Sequence, residues 1–227
     1  MSNEENVNPE GLQSSPTSGC LILAMILFVF GGLVVLYTVV GLYQNRKIDS
    51  FTQDSAMEVT LVEPDAKETE VVLAKLTTIE AAVEEGKAIR VLFSSHDLNV
   101  LIASLDVLVD FRGNTFIDRI SPQGIVADMA QPMRKGIVDK GMRYLNGTFV
   151  LRPQIRVRTV AFEVLDIRPR EGEVPEGFIK NYAVLDFFRL DPENEHIEKH
   201  ISSISAVYVE DGQLVVETGK DRTAPEG

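Results

Sequence analysis

The chain has a single cysteine, Cys20, and no tryptophan. One thiol rules out an intrachain disulfide, so any folded part must be held by burial and hydrogen bonding. Basic residues are also scarce: 22 Lys and Arg stand against 34 Asp and Glu, a net charge of −12. An acidic surface disfavours nucleic acid as a partner. No G-x-S-x-G, glycine-rich phosphate loop, C-x-x-C or H-E-x-x-H occurs, so the familiar nucleophile, nucleotide and zinc-hydrolase signatures are missing. No catalytic pair and no cofactor can be named from the residues, and the chain reads as a non-enzyme.

Charge and proline are wholly absent from Leu21 to Tyr43. As a helix this run of about 23 residues spans ~35 Å, enough to cross a ~30 Å hydrocarbon core with some tilt. A continuous helix also pairs its own backbone groups, as lipid requires. Tyr37 and Tyr43 lie where an aromatic belt would sit, and Arg46 and Lys47 follow. The preceding tail, residues 1–20, holds Glu4, Glu5 and Glu10 and no Lys or Arg. A cleaved signal peptide needs a basic start, a shorter apolar core and a small-residue cleavage site. The run is therefore read as a retained transmembrane anchor behind a disordered tail. Cys20 at its border is read as a small apolar boundary residue, with acylation as the alternative.

Residues 44–63 read as a juxtamembrane linker in which Val59 to Val62 could form a short strand. An α+β domain is expected over 64–218, with a frayed tail over 219–227. Val72, Leu76, Ile79 and Val83 recur at helical spacing between Asp65 and Gly86, with acidic residues early and glycine as the stop. That helix is read as lying on its own domain; its stripe is too short for a dimerising coiled coil. Ala88 to Phe93 reads as a strand. Ser94 or Ser95 then caps a helix bearing Leu98, Leu101, Ile102 and Leu105 on one face. Strands follow from Thr115, with a turn at Ser121-Pro122-Gln123-Gly124. Asn146-Gly147 is the strongest hairpin signal in the chain. It also begins a glycosylation sequon with Thr148, and the turn is taken as its reason. Helices are expected over Glu176–Leu190 and about Pro192–Ile201. A hairpin turning at Asp211-Gly212 closes the domain.

Between Phe149 and Leu165 the alternation is most informative. Phe149, Leu151, Pro153, Ile155 and Val157 alternate with Val150, Arg152, Gln154, Arg156 and Arg158. After Thr159 the apolar set shifts phase to Val160, Phe162 and Val164. A slip of one residue within one strand predicts a β-bulge or sharp bend between Arg158 and Val160. Arg152, Arg156 and Arg158 form a basic strand face in an acidic domain. It is read either as ion pairing with neighbouring carboxylates or as a site for anionic headgroups, which suits arginine's planar fork. Other candidates are weaker. His196 and His200 stand at i and i+4, a spacing that can share a metal, and Glu193 lies three residues earlier, but Glu198 is misplaced for the zinc-protease motif and the pair is read as two solvated histidines. Asp106 and Asp110 flank Val107-Leu108-Val109 without a nameable partner.

Three segments carry a resemblance. They are Phe93-Ser94-Ser95-His96-Asp97-Leu98-Asn99-Val100-Leu101-Ile102-Ala103, Arg143-Tyr144-Leu145-Asn146-Gly147, and Val207-Tyr208-Val209-Glu210-Asp211-Gly212. Together they resemble bacterial envelope proteins of the YpmS type, which have one N-terminal membrane helix. The resemblance implies an extracytoplasmic α+β domain and, through relatives likened to tubular lipid-binding proteins, a lipid ligand. It brings no catalytic residues. Arg46 and Lys47, counted alone, would instead keep the domain in the cytoplasm. The expected fold is a transmembrane helix followed by a curved antiparallel sheet with helices packed on one face. The expected function is a membrane-tethered binding module for lipid or another envelope component. The alternative is an accessory subunit docking on a membrane protein complex.

Overall fold

The computed structural model describes residues 16–134, 141–156, 159–183 and 204–219. The expected helix over 192–201, with His196 and His200, lies outside the described residues, as do Arg158 and most of both tails. The first element, α1, runs from Pro16 to Asp49. Its stretch from Cys20 is long and apolar enough to cross a membrane, and its apolar side chains are exposed.

The rest is α+β. Helix α2, Ala66–Glu85, is bounded as its sequence demands. Asp65 and Glu68 form a reciprocal capping box at its start, and Gly86 in the left-handed region ends it. Strand β1, Arg90–Phe93, leads into α3, Ser95–Ser104, and then a 3-10 helix, Asp106–Phe111. Strands β2 (Thr115–Ser121), β3 (Gly124–Arg134), β4 (Met142–Arg156) and β5 (Thr159–Pro169) follow in an antiparallel meander. Helix α4, Glu176–Ala183, packs on β5. Strands β6 (Ile204–Glu210) and β7 (Gln213–Thr218) close the domain. Asp211 and Gly212 both have positive φ, as the expected two-residue turn requires.

The strands divide into two sheets where one was expected. β2-β3-β4-β5 forms the larger, and β1-β7-β6 the smaller. β1 pairs with β7 across more than a hundred residues of chain, Arg90 opposite Glu217 and Phe93 opposite Leu214. The sheets meet through β4 and β2 against β6 and β7. Phe149, Ile125, Met129 and Leu145 of the larger sheet and Val215 of the smaller are wholly buried, with Phe93, Val100, Val72 and Phe51 closing the same cluster.

Three expectations are corrected. Val59–Val62 is not a strand, and the linker crosses the sheet's end as irregular chain. Asn146-Gly147 makes no turn, because both residues lie within β4, opposite Ala130 and Met129 of β3. Gly147 has another reason to be glycine: a Cβ there would collide with the Arg168 carbonyl and Pro169 of β5. Finally, the phase shift after Arg156 marks a reversal and not a bulge. β4 ends at Arg156 and β5 begins at Thr159, with Ile155 opposite Val160 and Arg156 opposite Thr159. Antiparallel partners whose numbers sum to an odd value must change parity, so the apolar set passes from odd to even positions. The grouping itself holds, since Leu151 faces Val164 and Pro153 faces Phe162. A bulge does occur farther along β5. Val150 pairs with Asp166 and Leu151 with Val164, which leaves Leu165 as the extra residue.

Candidate functional site

The basic strand face is less basic in three dimensions. Arg152 is exposed on β4, and its cross-strand partner is Glu163 on β5, 3.9 Å away as an ion pair. Gln154 also donates to Glu163. Asp166 and Asp128 belong to β5 and β3 of the same sheet, and Thr148 donates to Asp128 at 2.7 Å. Arg156 ends β4 opposite Thr159. At Arg152, therefore, Glu163 offsets the cation, as the ion-pairing reading of this strand face expected.

A denser polar cluster forms where α1 joins the sheet. The side chain of Arg143, on β4, is only 12 % exposed. Its Nε lies 2.7 Å from Thr52 Oγ1 and 3.3 Å from Asp49 Oδ1. Its terminal nitrogens donate to the Thr52 carbonyl and to Asp54. Thr52 Oγ1 in turn donates to the Ile48 carbonyl at 2.6 Å. The guanidinium thus sits at the C-terminal end of α1, where orphan carbonyls and the helix dipole favour a cation. One residue farther, Gln53 and Tyr144 exchange backbone hydrogen bonds, both 2.8 Å. Asn146 is 2 % exposed and faces the same segment. Its Oδ1 accepts from Met57 N at 3.1 Å, and its Nδ2 donates to the Ser55 carbonyl at 2.8 Å and to Gln53 Oε1. An amide engaged in this way is unavailable for glycosylation.

Burial completes the joint. Phe51, 3 % exposed, packs on Phe178 of α4 with ring centroids 5.1 Å apart. Gly172 leaves room for the Ser50 carbonyl, which any Cβ there would strike. Residues 49–57 are thereby fixed to β4 and α4 and do not form a free tether. In the sequence Asn146-Gly147 reads as a turn, and nothing near Arg143 signals the cluster.

The other candidates resolve into structure. Ser94 caps α3, and Asp97 accepts from Ser94 N at 2.7 Å and from Lys75 Nζ at 2.8 Å. Burial pushes the Asp97 carboxyl up, but the hydrogen bonds from Lys75 and Ser94 outweigh it and hold the group below its ordinary value. Asn99 exchanges two 2.8 Å bonds with the backbone of Ile117, the same pairing a neighbouring strand would give. Asp106 and Asp110 are exposed on the 3-10 helix. Among the described residues, no group of three His, Cys, Asp or Glu side chains could hold a metal.

Among the described residues, neither of the two recesses at the surface lies between the sheets: one is the open outer face of α2 along Ala66, Glu70, Leu73 and Thr77, lined by that helix alone, and the other, about 20 Å³, lies between Leu61, Asn99 and Thr115. Comparison with family models, curated proteins and solved structures returned no match.

Proposed function

We propose that the chain is a single-pass membrane protein whose folded domain is a non-catalytic accessory module, docking on another component of the membrane or envelope without enclosing a ligand. The observation that carries this is the joint. An apolar helix long enough to span a bilayer ends in a cluster that fixes it to the sheet through Arg143, Asn146 and Phe51. Such a joint sets the pose of a domain relative to a membrane, which suits a docking module. Among the described residues, the filled core supports docking over enclosure, because Phe149, Met129 and Leu145 are buried in the space that an acyl chain would need. In the ligand-holding alternative, Arg152, Arg156 and Arg158 meet an anionic headgroup; Glu163 beside Arg152 weakens that reading.

We place the domain on the extracytoplasmic side on the resemblance of Phe93–Ala103; Arg46 and Lys47 alone would place it in the cytoplasm. Two measurements test these statements. A reporter fused after Gly227 should give alkaline phosphatase activity and no cytosolic fluorescence; the reverse result puts the domain in the cytoplasm. Native mass spectrometry of residues 44–227 should return the bare polypeptide mass. A stoichiometric lipid adduct, weakened by Arg152→Glu, would replace docking with lipid binding.

A further inference from the structure

We propose that the end of the four-stranded sheet from which α1 departs rests on the lipid headgroup layer, with Val107 and Val109 as its principal apolar contacts. This rests on the reading that α1 spans a bilayer.

The position follows from pairing. Thr115 of β2 faces Met129 of β3, Met129 faces Gly147 of β4, and Gly147 faces Pro169 of β5. These four residues form one row across the sheet. On one side of the row lie the start of β4 with Arg143, the end of β3, the loop at Gly172 and the 3-10 helix that precedes β2. The bond from Ala130 N to the Asn114 carbonyl, 2.8 Å, carries the pairing toward that helix. The α1 joint is therefore at the same end as the 3-10 helix.

The distance follows from helix geometry. Gln44 to Asp49 advances about 9 Å along the axis. The headgroup layer of one leaflet is roughly 5–8 Å thick. Asp49 is held against Arg143, so the Arg143 end of the sheet stands at the outer edge of that layer. This end also exposes apolar side chains that the core leaves uncovered. Val107 and Val109 are each 53 % exposed, Met142 is 54 % and Leu61 is 63 %. Leu61 lies over Gly113, beside the 3-10 helix.

Such a patch is too small to bring a free protein to a membrane. It need not do so, because α1 already holds it there, and an intramolecular contact operates at high effective concentration. Exposed Asp106 and Asp110 flank the two valines. They keep the contact shallow and make it stronger on zwitterionic than on anionic headgroups.

The lone cysteine makes the test direct. In the full chain carrying Cys20→Ser, single cysteines are introduced as Val107→Cys, Val109→Cys, Gln123→Cys or Val35→Cys. Each is labelled with an environment-sensitive fluorophore and reconstituted in phosphatidylcholine vesicles carrying nitroxide lipids. Gln123 lies in the turn at the far end of the sheet, about 20 Å from Thr115 along β2. Labels at 107 and 109 should lose several-fold more fluorescence to headgroup nitroxides than the label at 123, and the difference should shrink when anionic lipid is added. The label at 35 should respond to mid-chain nitroxides. Equal quenching at 107, 109 and 123 refutes the headgroup contact while leaving the anchor intact. Failure at 35 refutes the anchor reading itself. Should one valine variant fail to fold by circular dichroism, the other supplies the reading.

Discussion

Asn146 shows how a side chain can override the local preference of its own backbone. Followed by glycine, it favours a tight turn. Buried in β4 with bonds to Gln53, Ser55 and Met57, it acts as a clasp for incoming chain. Asn146→Ala should lower stability by about 1–3 kcal/mol, because the Met57 N–H and Ser55 carbonyl lose buried partners. Asn146→Asp should cost more, since it removes the donor and buries a charge. Urea unfolding in detergent measures both. A loss no larger than that of the exposed control Gln123→Ala would mean that water replaces the clasp.

Among the elements, α3 has the clearest internal logic. Ser94 and Asp97 cap its start, Asn99 ties its second turn to β2, and the Arg112 guanidinium donates to the Ile102 and Leu105 carbonyls at its end. These polar contacts account for Asp97 and Asn99 in the run Ser94–Asn99. Asp97→Ala should cost about 1 kcal/mol, the usual loss for a helix cap. The pH dependence has a definite sign. A carboxyl held below its ordinary pKa contributes stability above that pKa and loses it as pH falls through the folded value. The gap between the wild-type chain and Asp97→Asn should therefore be full at pH 7 and narrow below about pH 4. Thermal melts across pH 2–7 read this; a gap constant over that range would assign the effect to packing.

The molecule as a whole depends on the segment between anchor and domain. Residues 49–57 contribute Phe51 to the core, an added backbone pair to β4 and the ligands of Arg143 and Asn146. A chain beginning at residue 58 should accordingly be less stable than one beginning at residue 44. The loss should be at least the ~3–5 kcal/mol typical of removing a buried phenylalanine. Equal urea midpoints for the two chains would show that the joint is peripheral to folding.

Local chemistry was enough for features whose causes lie within a few residues. The apolar length of α1, the stop at Gly86, the cap at Ser94, and the turns at Ser121–Gly124 and Asp211-Gly212 could all be read from neighbouring side chains. The apolar groupings of β4 and β5 were legible too, because burial on one face imposes a period of two. Their connection was not. A bulge and a hairpin can both invert the phase, and only the pairing of Ile155 with Val160 distinguishes them. The division into two sheets was likewise hidden, since β1 finds β7 across almost the whole domain. The candidate site was least legible. For Arg152 the sequence left ion pairing and headgroup binding both open, and only β5 supplied Glu163 as the pairing partner; Arg143 gained its role only when residues 49–54 folded back onto β4. Charge and hydrogen-bond partners are properties of neighbours in space, and at these positions the deciding neighbours are distant in the chain.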